Sequence, residues 1–276
     1  MTGSSGRMTW VGHATVLLDL SGVRLLTDPL LRGRLWHLRR HGAPPSSDMA
    51  ERLDAVLLSH LHFDHLDVPS LRRIGRDVTL LAPRGAGPFL CRLGFSRVAE
   101  MGPGDRVAVG GVAVTAVRAA HDGRRRPLGP VAETIGFVVD GGPRVYFAGD
   151  TELFDGIEHV APRLDVALLP VWGWGPALGA GHMDPCSAAQ AAARLRPGLA
   201  VPIHWGTFFP AGLARLRGRA LVEPPLAFRR LVGELAPEVE VRVLAPGQST
   251  ALRTSGAAGS VTGNPTPPTD EPRLRP

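Results

Sequence analysis

Lysine is absent from this chain of 276 residues; all 31 of its basic residues are arginine. A net charge of +6 can signal a polyanionic partner. Here arginine at every basic position, beside abundant Ala, Gly and Pro, points instead to GC-rich codon usage. The arginines are scattered apart from Arg124-Arg125-Arg126 and pairs such as Arg39-Arg40, so nucleic acid is not the expected partner. Cysteine is scarce as well. Cys91 and Cys186 show no metal-like spacing and imply no disulfide framework; both are expected as small buried hydrophobes. No apolar run approaches the roughly 20 residues of a membrane helix, so no transmembrane segment is expected. Residues 1–7 lack the apolar stretch of a signal peptide, which makes the expected location cytoplasmic.

What is present is ordinary for a globular protein: 44% hydrophobic and 20% charged residues, in a chain long enough to bury a substantial core. Residues 8–11, 15–20 and 23–27 read as strands. Residues 30–47, with Arg, Gly, Pro and an isolated Trp36-His37, break the pattern and are expected as a lid or rim loop. Strands are then expected at 54–58, 78–82 and 98–101, with helices at 68–74 and 87–93. A hairpin over 106–119 turns at Gly110-Gly111, and strands follow at 134–139 and 144–148. The second half alternates: helix 153–160, strand 166–171, helix 184–195, strand 200–204, helix 225–235, strand 239–244. Asp184-Pro185 is a good helix start. The pattern is compatible with an α/β sandwich in one domain over residues 1–253. Residues 254–276 are too poor in apolar side chains to order themselves and are expected as a disordered tail.

The densest chemistry is Ser59-His60-Leu61-His62-Phe63-Asp64-His65-Leu66-Asp67, at the end of an apolar strand. Neutral imidazole and carboxylate are the ligands that Zn²⁺ and its neighbours take; a solvated His-rich turn is the competing reading. Four ligands cannot fill two coordination spheres, so more are expected at later strand ends. They occur as His121, as Asp150 in Ala148-Gly149-Asp150-Thr151, and as His204 in Pro202-Ile203-His204-Trp205. The plain alternatives there are an exposed histidine, a turn-capping aspartate and a satisfied core histidine.

The order His-x-His-x-Asp-His at 60–65 resembles the signature of the metallo-β-lactamase superfamily. That resemblance implies an α/β fold, the four-layered αββα sandwich of the metallo-β-lactamase type. It also implies two divalent metal ions, with Zn suiting the set best and Mn or Fe acceptable. His60, His62 and His121 would hold the first ion, Asp64, His65 and His204 the second, and Asp150 would bridge them. The implied activity is a metal-dependent hydrolase using a dimetal-bound hydroxide. Its substrate would be a phosphodiester, lactone or other ester of a small molecule or lipid.

Further segments, Gly12-His13-Ala14-Thr15, Thr27-Asp28-Pro29 and His182-Met183-Asp184-Pro185, resemble the branch containing N-acylphosphatidylethanolamine phospholipase D and ascorbate-6-phosphate lactonases. This makes His182 a candidate for contacting substrate or protonating a leaving group, and Asp64 and His182 the catalytic candidates. A structural histidine ahead of a helix is the alternative for His182. Asp28 and His13 are read as orienting ligands from behind. The chain departs from the phospholipase pattern after His121, where Arg124–Arg126 follow, and in Trp172 and Trp174. Trp36, Trp172, Trp174, Phe208 and Phe209 read either as an apolar pocket beside the metals or as scattered core aromatics. Arg124–Arg126 read as an anion contact or, more simply, as a solvated loop. A nucleic-acid-processing nuclease of the same superfamily would need an inserted domain or basic arm, for which the motif spacing leaves little room. A di-iron redox protein would need a flavin-bearing partner domain, which no segment supplies. The oligomeric state is not legible.

Overall fold

Alternation along single strands separates two cores in this computed structural model, which describes residues 6–42, 44–125, 129–172, 179–213 and 218–254. In the strand Ala55–Leu57 and the residue after it, Ala55 and Leu57 enter a core between two sheets, while Val56 and Leu58 face helices on the other side. Successive strand side chains point to opposite faces, so an uninterrupted apolar run marks a strand covered on both.

The first sheet draws on β1 (Gly6–Gly12), β2 (Thr15–Leu20), β3 (Val23–Thr27), β6 (Ala55–Leu57), β7 (Thr79–Pro83) and β8 (Val98–Met101). A last strand of the chain, β17 (Ser249–Leu252), closes it beside β1, in the order β17-β1-β2-β3-β6-β7-β8. The second sheet contains β9 (Arg106–Val109), β10 (Val112–Arg118), β11 (Ile135–Asp140) and β12 (Arg144–Phe147). It is completed by β13 (Val166–Pro170), β14 (Leu199–Ile203) and β16 (Glu240–Val241), in the order β16-β14-β13-β12-β11-β10-β9. Residues of both sheets form one buried cluster, including Met8, Trp10, Phe137 and Phe147. The helices α1 (Val68–Ile74) and α2 (Gly87–Arg92) cover the first sheet. The helices α3 (Pro185–Leu195) and α4 (Glu223–Leu235) pack on the second. The order of layers is αββα, as expected. Among the described residues no helix is long and apolar enough to cross a membrane.

Local chemistry explains the helix starts. Asp184 caps α3 by accepting from the Ser187 amide at 2.8 Å, while Ser187 Oγ accepts from the Asp184 amide at 2.9 Å. This reciprocal box satisfies two amides that helix geometry leaves without partners. Asp67 caps α1 by accepting from the Ser70 amide at 3.0 Å and the Ser70 hydroxyl at 2.6 Å, and also receives the Arg32 guanidinium at 2.6 and 3.0 Å.

Four expectations are corrected. Residues 30–47 are not a plain loop: they contain a small hairpin, β4 (Arg34–Leu35) and β5 (Leu38–Arg40), which pairs with β15 (Phe208–Pro210). Leu30, Leu35, Leu38 and Phe208 bury one another there, which stabilises a hairpin too short to stand alone. Residues 153–160 form only a 3₁₀ turn, Ile157–His159, because Gly156 takes φ +88° and interrupts the helical path. Residues 239–244 pair only over Glu240–Val241. Cys91 and Cys186 are exposed, on the outer faces of α2 and α3. The expected tail lies, apart from Thr254, outside the described residues.

Candidate metal centre

Four strands of the two sheets end at one edge of the sandwich, and each gives way there to a polar loop. Past β6 comes the loop with His60 to His65; past β10, His121; past β12, Asp150; past β14, His204. The β1–β2 turn adds His13. Three of these site residues, His13 (φ +55°), His204 (φ +63°) and nearby Asp28 (φ +31°), have left-handed backbones. Such conformations are costly for side-chain-bearing residues and persist where surrounding contacts enforce them. The His13 carbonyl supplies two of those contacts, accepting from the His204 amide at 3.0 Å and from Trp10 Nε1 at 2.9 Å.

His60, His62 and His121 form the first group. Their ring centroids are 4.6, 4.7 and 4.8 Å apart, a nearly equilateral triangle, with His121 Nε2 3.0 Å from His62 Nδ1. The protons can be placed. His121 Nδ1 lies 2.8 Å from the Gly181 carbonyl, which can only accept, so Nδ1 carries the proton and Nε2 presents a lone pair inward. Ser59 Oγ donates to Asp28 at 2.6 Å and so accepts from His60 Nδ1 at 2.9 Å. His60 Nε2 is then a bare lone pair, buried and without a hydrogen-bond partner among the described residues.

Asp64, His65 and His204 form the second group, with His13 beside them; one ligand atom from each of the four falls within 4.8 Å of the others. His204 Nδ1 donates to the Trp172 carbonyl at 2.6 Å, and His65 Nδ1 to Asp28 at 2.7 Å. The two Nε2 atoms face each other at 3.2 Å. Asp150 stands between the groups, 3.2 Å from His65 Nε2, 3.3 Å from His204 Nε2 and 3.4 Å from His182 Nε2. Its Oδ1 is buried with no hydrogen-bond partner among the described residues. Behind both groups, the one carboxylate of Asp28 fixes His65 directly and His60 through Ser59.

Charge follows the same division. Burial holds His60 well below its usual range and His121 at about 4, so the first group is neutral. Burial also lowers His65, but Asp150, Asp64 and Asp28 outweigh it and hold that ring protonated well above its usual range. Burial would raise Asp64 and Asp150; the surrounding imidazoles reverse this and keep both carboxylates ionised. The neutral inward nitrogens of the first group and the ionised carboxylates, with His60 Nε2 and Asp150 Oδ1 unsatisfied among the described residues, are donors that divalent cations take. The residues fit such ions.

The remaining expected residues sort clearly. His13 Nε2 touches Asp64 Oδ2 at 2.9 Å, and burial lowers its pKa to about 3. His182 lies at the opening: Nδ1 faces the Gly179 carbonyl at 3.2 Å, and its contact with Asp150 raises its pKa. Of the aromatic set, Phe208 and Phe209 are buried, Trp172 stacks on Phe209 at 6.2 Å, and Trp36 is exposed. Trp174 lies outside the described residues.

The arginine run is not a solvated loop throughout. Arg124 is exposed and Arg126 lies outside the described residues, but Arg125 turns inward. Its guanidinium donates to the carbonyls of Leu61 (2.5 Å) and Leu66 (3.0 Å), which bracket the ligand loop, and lies over the Phe63 ring at 4.1 Å.

Sequence reasoning missed Ser59, Glu152 and Gly181. Glu152 accepts from the Gly181 amide at 3.2 Å, while His121 holds the Gly181 carbonyl. At φ +83°, a Cβ on Gly181 would lie 2.7 Å from His121 Nδ1, so only glycine fits. The available signals were adjacency to His60 for Ser59 and, for Gly181, its place at the head of the Gly181–Pro185 segment.

Comparison with known proteins agrees with this geometry. The profile described as the β-lactamase superfamily domain matches residues 23–205. The chain is 34% identical to a metal-dependent hydrolase of Methanopyrus kandleri over 251 residues, covering 88% of this chain and 98% of that protein. Among solved structures it is similar to Igni18, a metallo hydrolase from Ignicoccus hospitalis. That pair shows 25% identity and a TM-score of 0.69, over 90% of this chain and 98% of the other. It also shares its fold with a diiron β-hydroxylase from Streptomyces venezuelae, at 20% identity and a TM-score of 0.67, over 91% of this chain and 55% of that one.

Proposed function

From the premise that this chain belongs to the metallo-β-lactamase superfamily and is a metal-dependent hydrolase, we propose how its site works and on what. His60, His62 and His121 hold one divalent ion, Asp64, His65 and His204 a second, and Asp150 serves both, with zinc the preferred metal. The substrate is a phosphodiester, lactone or other ester of a small molecule or lipid. The Gly12–Thr15 and His182–Pro185 segments support a place near the phospholipase D and ascorbate-6-phosphate lactonase branch.

The observation that carries this reading is the pair of buried inward atoms, His60 Nε2 and Asp150 Oδ1, that have no hydrogen-bond partner among the described residues. Leaving such atoms without a partner costs about 1–3 kcal/mol each, and a cation between the groups would remove that cost. When bound, two such ions acidify water to give a nucleophile at neutral pH and offset charge developing on the substrate oxygen.

The chain's own residues do the rest. Asp28 and Ser59 lock the His65 and His60 tautomers, and the Gly181 and Trp172 carbonyls lock those of His121 and His204. His13 steadies the Asp64 carboxylate, which accepts the proton of the attacking water. His182, half-buried and with its pKa raised by its Asp150 contact, presents Nε2–H to the leaving oxygen.

The test is metal analysis of protein purified without added metal, followed by turnover of a small panel of phosphodiesters and lactones. About two equivalents of metal, and activity lost on chelation, are expected. Unchanged turnover in a His60→Ala/Asp150→Ala double variant would overturn the assignment.

A further inference from the structure

The Arg34–Arg40 hairpin carries three features that a purely structural element would lack. Its two-residue turn begins with Trp36 at φ +49°, a position that such turns give to glycine or asparagine. A bulky residue there is strained, and observed strain is a legitimate starting point for a functional hypothesis. Trp36 is also 64% exposed, the most exposed large hydrophobic among the described residues. Behind it, Arg34 and Arg39 stand directly opposite each other across the two strands. Like charges in that register repel, and neither guanidinium has a carboxylate partner among the described residues. Arg34 Nε donates only to the Trp36 carbonyl, at 3.0 Å.

The hairpin is also placed by both ligand groups. Through β5 it pairs with β15, which starts four residues after His204. At its tip, Trp36 meets Phe63 edge to face at 4.8 Å, and Phe63 lies between His62 and Asp64. The other side of this contact is firm, because the buried Arg125 guanidinium lies over the Phe63 ring. Arg40 anchors the base: it donates to the Leu30 (2.5 Å), Arg32 (3.0 Å) and Val11 (3.2 Å) carbonyls and covers the Phe208 ring. The finger is rigid at its root, strained at its tip, and cationic on its outer face.

We propose that this hairpin docks the substrate beside the metal centre, Trp36 taking an apolar group and Arg34 and Arg39 an anionic one. The substrate is accordingly an anionic ester that also carries an aromatic or aliphatic portion. This rests on the hydrolase reading above and narrows its substrate class. An aromatic face and two unpaired guanidiniums complement those two groups at once. The strain and the repulsion cost the folded state, and substrate contact is what they serve.

Binding, not turnover, tests this, with metal-loaded protein and three probes. 1-Naphthylmethylphosphonate has both groups and resists hydrolysis; methylphosphonate has the anion alone, and 1-naphthalenemethanol the ring alone. Trp36→Gly should weaken the naphthyl phosphonate about tenfold and methylphosphonate less than about twofold. Its thermal midpoint should be no lower than that of the parent, because glycine accepts the left-handed turn. Arg34→Ser/Arg39→Ser should weaken both phosphonates several-fold and leave the neutral alcohol unchanged.

Equal affinities in all three proteins would overturn the proposal. So would equal loss of both phosphonates in Trp36→Gly, which would make the hairpin a scaffold for the metals. Vesicles of phosphatidylglycerol bound by the parent and lost by the variants, with soluble probes unaffected, would assign the finger to a membrane surface and overturn it too. Since no turnover is read, failure here leaves the hydrolase reading to its own metal and activity tests.

Discussion

His60, His62 and His121 make a neutral group, two of its three rings half open to solvent, with His60 Nε2 left unsatisfied. A few ångströms away, Asp64, His65, His204 and neighbouring His13 make an almost closed group that carries its own positive charge, with His65 protonated among three carboxylates. The first group gains partners only when a cation arrives. The second already has an internal substitute, the His65 proton, which a cation must displace. Two sites of similar residue type, sharing Asp150 and backed by one Asp28, thus start from different states of readiness.

Asp150→Ala should erase the comparison, because it removes the carboxylate both groups share. Turnover is expected to fall about 10³-fold, with metal content reduced at both sites. One ion retained at parental affinity would show that Asp150 belongs to a single group.

Proton displacement sharpens the contrast. Burial lowers His121 to about 4 and pushes His60 and His62 down as well, so the first group's metal affinity should be flat across neutral pH. His65 keeps its proton well above its usual range, so the second affinity should rise with pH, about 100-fold from pH 6 to pH 8. Calorimetric titrations at the two pH values, with proton release counted from buffer ionisation heats, check this. Equal pH slopes for both ions would remove the distinction.

Gly181→Ala acts on the first group alone, by driving a methyl against His121. A loss of about 10- to 100-fold in one binding constant is expected, with the other unchanged. His13→Ala should do the converse, more mildly, releasing Asp64 and weakening the second ion about tenfold. Competition with a chromophoric chelator would read both, and a shift in both constants for either variant would mean that the groups cannot be addressed separately.

Much of this centre was legible in the chain, because each ligand stands where an apolar run stops, and that discontinuity survives in any strand-based fold. His60 to His65, His121, Asp150 and His204 all announce themselves in this way. The hydrogen-bond partners behind them were less visible. Asp28 showed through its motif, but Ser59 is an ordinary residue beside a ligand, and the carbonyls of Gly181 and Trp172 have no side-chain signature at all. Arg125 looked like part of a charged run because sequence cannot show which guanidinium finds two inward carbonyls. The small hairpin and β17 were missed for a related reason. The hairpin is held by β15 and β17 by β1, both far away in the chain, and strands of two to four residues carry no period of their own. The residues from 153 to 160 have helical composition, and a single left-handed glycine overrode it.

The joining of β17 to β1 has a consequence in time. The hydroxyls of Thr9 and Ser249 meet at 2.8 Å across 240 positions of chain. Until a ribosome has released the chain through Leu252, β1 is an unprotected sheet margin carrying Met8 and Trp10, and the first seven-stranded layer stays open. Closing so long a loop is slow compared with local hairpin and helix formation. This sheet should therefore close late, with a nascent chain that exposes a sticky edge until β17 arrives.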